Sequence, residues 1–431
     1  MKILLISRLF PPSNEMGAVR PKNIADHLHA FGHEVTCVTD IAGSYRDCVD
    51  YRVLRVDTGR IGRWYREHNE KRLKEAFANT PQEPAEARKP SALSALLKAL
   101  KEEAINLIYV IDETEWARNV CKALRTESPG ATYDVLLTSF GPLSTVLVGF
   151  RLKKARQRAV WISDMRDAMD VYSQSGWRRI LFSHLQRRMV HQADAITTVS
   201  WAMAKKYEAM NGAPVYTIEN GYARAADQPP TKTKGALTIC YTGSLYGGLR
   251  RMEALFEAIA EINRREQRPA DILVRYAGAD NHLAVEQARA YGVSNQLETL
   301  GLLPREASMR LQLTSDILCV VSWNTPKEQG ILTGKFPEYM RLRKPILSIV
   351  SGELPNAELS ERVRQCGEAG LDFEYAREGD KRRMADWLYG LLRRKEQGLA
   401  LPTIDAEVAT RYDYERLMRS FNEIILNAKT R

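Results

Sequence analysis

One local pattern occurs twice in this chain and restricts its fold more than any other feature. A short apolar run leads into a loop and then an amphipathic helix. The first copy is KILLIS (2–7), the loop RLFPPSNEMGAV and the segment RPKNIADHLHAFG. There Ile24, Leu28 and Phe31 share a helical face that stops at Gly32. HEVTCVTD (33–40) supplies the next strand and closes a βαβ unit. The second copy is ALTICYTG (236–243), the glycine loop SLYGG and the helix LRRMEALFEAIAEI, with Met252, Leu255, Phe256, Ile259 and Ile262 on one face. Strands without polar alternation are buried on both sides, which requires parallel sheets covered by helices.

Further runs read as strands: INLIYVI (105–111), YDVLLTSF (133–140), AVWISD (159–164), ADAITTVS (193–200) and PVYTIEN (214–220). After the second copy come DILVRYAG, LETLGLL, DILCVVSW and KPILSIV, alternating with helices. Residues 60–77 read as a basic helix, and the proline-bearing, aperiodic 79–92 as a loop or disordered insert. GYARAADQPPTKTKG (221–235) lacks periodicity and reads as an interdomain linker. A length of 431 residues suits two domains. The expectation is an α/β chain of two tandem Rossmann-like, doubly wound domains. The first covers 1–222 with an insert near 60–104. The linker is 223–235, the second domain 236–410, and 411–431 a final helix with Leu417, Phe421, Ile424 and Ile425 along one side. That helix caps the second domain or crosses back to the first.

The formal net charge is +10, which favours phosphates, nucleic acid or an anionic membrane face, or simply marks a basic cytoplasmic protein. Aromatic residues make up only 8% and no RNA- or DNA-binding signature is present, so nucleic acid is not the expected partner. The six cysteines form no CxxC pair, and neither a disulfide framework nor a zinc site is indicated. A reducing cytosol fits. MKILLISRLFPP is too short in its apolar part for a signal peptide, and no long uncharged apolar stretch follows. Three stretches of the first half are strongly basic: 60–74, RLKKARQR (151–158) and GWRRILFSHLQRRMVHQ (176–192). Such helices lie on anionic membranes or pack on a core with a solvated basic face.

Two segments carry candidate chemistry. EQGILTGKFPEYM (328–340) falls one residue short of a P-loop, with Phe336 where Ser or Thr should stand. It runs from a strand into a helix N-terminus, where Gly334 admits close backbone approach and the dipole favours an anion. Lys335 adds a positive charge. Glu338 suits sugar hydroxyls, or serves as a capping-box acid. TGSLYGGLRRM (242–252) is a second glycine loop, with Gly243, Gly247 and Gly248 leading to Arg250 and Arg251 at the expected start of the helix. Arginine holds a diphosphate in a bidentate fork. Two such loops at strand C-termini of one domain converge on one crevice.

In order and spacing these segments resemble the family 4 glycosyltransferases, whose GT-B fold has two Rossmann-like domains facing across a cleft. MKILLIS…PP…MGAVRPKNIADHLHAFGHEVTCVTD is similar to the family's opening, with a glycine loop here ending at Gly17. YDVLLTSFGP, WISDMRD, IENGY, YTGSLYGG and GILTGKFPEY resemble later segments. There are departures. The family often has two glutamates with seven residues between them, whereas nine separate Glu328 and Glu338. Gly243-Ser244 replaces a frequent Gly-Arg. No counterpart of the family's histidine is found, and Asp164 and Asp167 occupy that neighbourhood.

The resemblance implies sugar transfer from a nucleotide diphosphate sugar, with retention, in bacterial cell-surface polysaccharide or glycolipid assembly. The diphosphate is then expected on Gly17, Gly243, Gly247, Gly334, Lys335 and Arg250, and the ribose on Glu338. Glu328 is a candidate sugar contact. Arg250, Lys335 and Asp167 are the candidate catalytic residues, Asp167 touching acceptor or sugar, or else pairing with Arg166 or capping the next helix. No metal and no cofactor is expected, since the cations and the helix dipole meet the leaving diphosphate. The acceptor is a glycan or a lipid-linked glycan, reached in the cytoplasm or on the inner membrane face. A nucleotide-sugar epimerase or hydrolase of the same fold is the alternative enzyme.

Overall fold

The computed structural model describes residues 1–13, 16–41, 49–59, 61–64, 92–127, 130–141, 143–155, 159–167, 169, 176–223, 235–267 and 269–430. The chain divides into two compact units. The first comprises Met1–Val199, Ala204–Ile218 and Met418–Arg431, and the second Ser200–Met203 and Glu219–Leu417.

The first unit is built on strands β1 (Lys2–Ile6), β2 (Glu34–Asp40), β3 (Arg52–Val56), β4 (Val135–Phe140), β5 (Val160–Met165), β6 (Ala195–Thr198) and β7 (Val215–Thr217). They pair in parallel in the order β3-β2-β1-β4-β5-β6-β7. The second unit uses β8 (Leu237–Thr242), β9 (Ile272–Ala277), β10 (Leu297–Thr299), β11 (Ile317–Trp323), β12 (Ile346–Ser351) and β13 (Gly370–Glu374). Their order is β10-β9-β8-β11-β12-β13, again all parallel. Both sheets thus reverse direction between the first strand and the fourth. The loops that follow those two strands diverge and leave a crevice at the strand C-termini.

Alternation along β11 shows why its sequence is apolar throughout. Ile317, Cys319 and Val321 join the core under the helices Glu253–Glu266 and Asp380–Glu396, with Leu255, Phe256, Ile259, Leu388 and Leu392. Leu318 and Val320 point the other way, into a core with Phe336, Met340 and Ile346. Each side chain so buried contributes roughly 1.5–3 kcal/mol.

Several expectations are corrected. INLIYVI is not a strand: residues 105–111 lie inside one helix, Ala92–Thr126. Arg250 and Arg251 do not begin the helix, which starts at Glu253. The strands β3 and β13 went unread. Of the basic segment 60–77, residues 61–64 are helical and 65–77 fall outside the described residues, as do 79–91 of the expected insert and 224–234 of the linker.

Candidate nucleotide-sugar site

The β8 loop of the second unit is shaped by its own polar groups. Ser244 Oγ and the Leu245 N–H both donate to Asp280 Oδ2, at 2.7 and 2.6 Å. Tyr246, Gly247 and Gly248 then take positive φ angles of 50, 60 and 95°. Glycine adopts that region freely, and two glycines let the chain turn there. The turn sends Arg250 back beneath the loop. Its Nη1 donates to the Ser244 carbonyl and the Tyr241 hydroxyl, both at 3.3 Å. Its guanidinium carbon lies 4.4 Å from the Tyr246 ring centre and 5.2 Å from that of Trp323. Burial pushes the Tyr241 hydroxyl up to about 12, so it stays protonated and donates to the Ser244 carbonyl at 2.7 Å.

Arg250 is 9% exposed. Among the described residues it meets no carboxylate, and its Nε has no hydrogen-bonding partner. Burying a charge costs several kcal/mol unless an opposite charge or a full set of hydrogen bonds offsets it. This guanidinium has neither, beyond two weak contacts and two aromatic rings.

The β11 loop reaches the same place. Trp323, the last residue of β11, stands 5.5 Å from Tyr246 between ring centres, and its Nε1 donates to Glu328 Oε2 at 2.6 Å. Glu328 therefore holds the indole against Arg250. Further on, Gly330 has φ +69° and is tightly enclosed: a Cβ there would lie 2.7 Å from both Ala202 Cβ and Ser200 Oγ. Glu358 fixes that neighbourhood by accepting from the Trp201 and Ala202 N–H groups at 3.0 and 3.2 Å.

The loop ends at Gly334, in ordinary right-handed conformation, and the helix Lys335–Leu342 begins. Phe336, Tyr339 and Met340 bury its inner face, which leaves Lys335 and Glu338 on the loop side. Lys335 Nζ is 3.5 Å from Glu338 Oε2, and Arg305 is 3.8 Å from Glu338 Oε1. The partners of this acid are cations, not the helix's own N–H groups, and its Oε2 accepts no hydrogen bond. Thr333 Oγ1 is likewise buried and unmatched. Arg250 Nε, Thr333 Oγ1 and Glu338 Oε2 are thus polar atoms of this region without a hydrogen-bonding partner.

In the first unit Gly17 is the second residue of the helix Met16–Ala30, not the end of a loop. A Cβ on it would lie 2.5 Å from Leu9 Cδ1 and 3.1 Å from Arg166 Nη1. Arg166 donates to the carbonyls of Phe140 and Gly141, each at 2.8 Å, and to that of Gly17. It thereby ties the start of that helix to the β4 loop. Asp167 follows, exposed, near Gly141. Asp164 is buried and structural: it accepts from Arg20 at 2.7 and 3.0 Å, from Ser139 at 3.0 Å and from Thr197 at 2.8 Å. Burial alone would raise its carboxyl, but the Arg20 guanidinium holds it below the usual value.

Residues 17–221 match the model of the glycosyl transferase 4-like domain. The chain carries a glycosyl transferase 4-like domain. No curated protein matches the sequence. Among solved structures, the chain resembles sucrose-phosphate synthase from Thermosynechococcus elongatus with a TM-score of 0.62 at 12% identity, over 99% of this chain and 98% of that one. The lipopolysaccharide outer core galactosyltransferase WaaB gives 0.55 at 12% identity over 99% of both chains. A glycosyltransferase from Rickettsia africae gives 0.53 at 11%, over 99% and 98%. These likenesses establish the fold, the two-sheet α/β class known as GT-B. The sequence alone did not single out Trp323, Arg305 and Arg166 as site residues, because their importance comes from contacts far along the chain. An aromatic residue at the C-terminal end of a switch-point strand was the one available signal.

Proposed function

We propose that this glycosyltransferase moves a sugar from a nucleotide diphosphate sugar to an acceptor hydroxyl, with retention at the anomeric carbon. The observation that carries the reading is Arg250, buried without an acid among the described residues, at the crevice where the β8 and β11 loops diverge. A diphosphate brought there supplies the missing negative charge. Lys335 and the N-terminus of the helix Lys335–Leu342 meet the same group from the other loop. Their charge is matched best by the departing diphosphate, whose negative charge grows as the glycosidic bond breaks, so they lower the barrier electrostatically. No divalent metal or cofactor enters this account. Glu338, whose Oε2 is ion-paired to Lys335 but accepts no hydrogen bond, receives the ribose hydroxyls. Glu328 acts through Trp323 rather than on the sugar. Asp167 is exposed and suited to an acceptor or sugar hydroxyl, and Gly17 acts by admitting Arg166.

Retention, and a glycan or lipid-linked acceptor in bacterial cell-surface assembly, rest on the family resemblance; one structural relative is itself a lipopolysaccharide galactosyltransferase. A cytoplasmic setting is supported by the described cysteines, all of them buried thiols. The test is titration with UDP, GDP and ADP followed by thermal unfolding. The matching nucleotide stabilises by roughly 2.7 kcal/mol at a hundredfold over Kd. Arg250→Ala and Lys335→Ala should each weaken its binding, and unchanged binding in both removes the site. Release of free sugar or an epimer, with no transfer to any acceptor, makes the chain a hydrolase or epimerase instead.

A further inference from the structure

What covers Arg250 decides how an anion reaches it. The Tyr246 ring centre lies 4.4 Å from its guanidinium carbon and the Trp323 ring centre 5.2 Å. Nη1 already donates to two oxygens, those of the Ser244 carbonyl and the Tyr241 hydroxyl. The other edge of the guanidinium, which includes Nε, is therefore the one left for a diphosphate held in a two-pronged fork. Nε is buried and has no hydrogen-bonding partner among the described residues. That edge comes into reach only when a covering group moves.

The two rings are not equally fixed. Trp323 ends β11, and its Nε1 donates to Glu328 at 2.6 Å. Tyr246 is 53% exposed. Gly247 and Leu249 beside it are exposed as well, between the buried Leu245 and Arg250. A Cβ on Gly247 or Gly248 would meet nothing within 4 Å, so the turn has open space around it. Tyr246 also holds a φ of +50°, which is costly for a residue with a β-carbon. Residues kept in that region gather at ligand clamps and switches. The Tyr246 N–H donates to Ser244 Oγ at 2.9 Å. Rotation of the side chain about χ1 lifts the ring from Arg250 without breaking that bond.

We propose, resting on the diphosphate reading of Arg250, that Tyr246 is a removable cover whose ring shields the guanidinium until a diphosphate displaces it. The phosphate oxygens win the exchange, because a charge-assisted hydrogen bond outweighs a cation–ring contact at an exposed position. Tyr246 acts through Arg250 and is a positioning residue. Return of its ring to the guanidinium favours release of the nucleoside diphosphate after transfer.

The test is calorimetry with UDP, GDP, ADP and inorganic pyrophosphate. It compares the natural chain with Tyr246→Ala, Tyr246→Phe, Arg250→Ala and the double variant Tyr246→Ala/Arg250→Ala. Tyr246→Ala should bind the preferred diphosphate roughly threefold tighter, the size of one cation–ring contact that no longer has to be broken. Tyr246→Phe keeps the ring and should bind as the natural chain does. In the double variant the gain should vanish, because it runs through Arg250. Unchanged binding by Tyr246→Ala overturns the proposal, and weaker binding does so by making Tyr246 a ligand contact. A gain that survives the loss of Arg250 overturns it too. If Arg250→Ala binds like the natural chain, or no diphosphate binds at all, the donor reading itself falls. Weakened binding by Arg250→Ala with no gain in Tyr246→Ala removes the cover alone.

Discussion

Arg20 in the first unit and Arg250 in the second are both buried near the first loop of a parallel sheet of the same strand order, and they differ in company. Arg20 meets Asp164 through a two-pronged pair, and nearby Arg8 meets Asp40, Asp112 and Glu113. Arg250 meets aromatic rings and a carbonyl. The first unit therefore neutralises its buried cations with acids of its own. Among the described residues, the second leaves Arg250 without an acid at its crevice. In one fold, the same residue type is architectural where it is paired and available to a ligand where it is not.

The largest test of that contrast is Arg20→Met. It strands the Asp164 carboxylate in the interior, and the expected loss of stability is about 3–5 kcal/mol. Denaturant titration reads it directly. Arg250→Met should move the same midpoint by no more than about 1 kcal/mol, the scale of its ring contacts. If the order of the two is reversed, Arg250 is the structural residue.

Next comes a buried acid of the second unit. Burial pushes Glu358 up to about 7 despite the Trp201 and Ala202 N–H groups and Arg362 beside it. Between the ordinary carboxyl value of 4.5 and about 7 the folded chain then holds the proton more tightly than the unfolded chain. The stability from this group is thus full below that window and lost as pH rises through it, a change on the order of 3 kcal/mol. Glu219, also raised by burial, has the same sign. Melting of Glu358→Gln between pH 4.5 and 7 should show a flatter slope than the natural chain, and an unchanged slope would assign the effect elsewhere.

Smaller effects are read in binding. Calorimetry of Arg250→Ala should show nucleoside diphosphate affinity reduced roughly ten- to a hundredfold, the scale of a lost charge-assisted hydrogen bond. The smallest effect concerns Glu338. The natural chain should prefer a ribonucleoside diphosphate over its dideoxy analogue by about tenfold, and Glu338→Ala should bind both alike. A preference that survives the substitution places the ribose elsewhere.

Much of the framework is legible because it is local. Continuous apolar runs such as Ile317–Val321 leave little choice but a strand buried on both faces, and glycine pairs such as Gly247-Gly248 mark the turn. INLIYVI misleads because a short run of branched apolar residues suits a buried strand and a helix equally. The steps of three and four from Leu97 to Ile111 were the helical signal, and they extend beyond the run itself. β13 escapes because Asp372 and Glu374 look like loop residues. Both are buried, Asp372 against Arg364 and Arg377, and Glu374 accepts from the Asn356 and Ala357 N–H groups. At the site, Lys335 and Glu338 were readable from their helix start. The isolation of Arg250 was not, since it depends on which acids fail to arrive from distant parts of the chain.

The first unit includes Met418–Arg431, where Phe421 and Ile425 are buried, His33 Nε2 lies 2.8 Å from Asn422 Oδ1, and Lys429 donates to Asp134 at 3.0 Å. The ribosome delivers nearly all of the second unit before that segment emerges. The unit begun first is therefore completed last, and its surface for Phe421 and Ile425 stays uncovered while about two hundred further residues are made. A chain built this way keeps apolar surface uncovered during synthesis for longer than one whose units are each continuous in sequence.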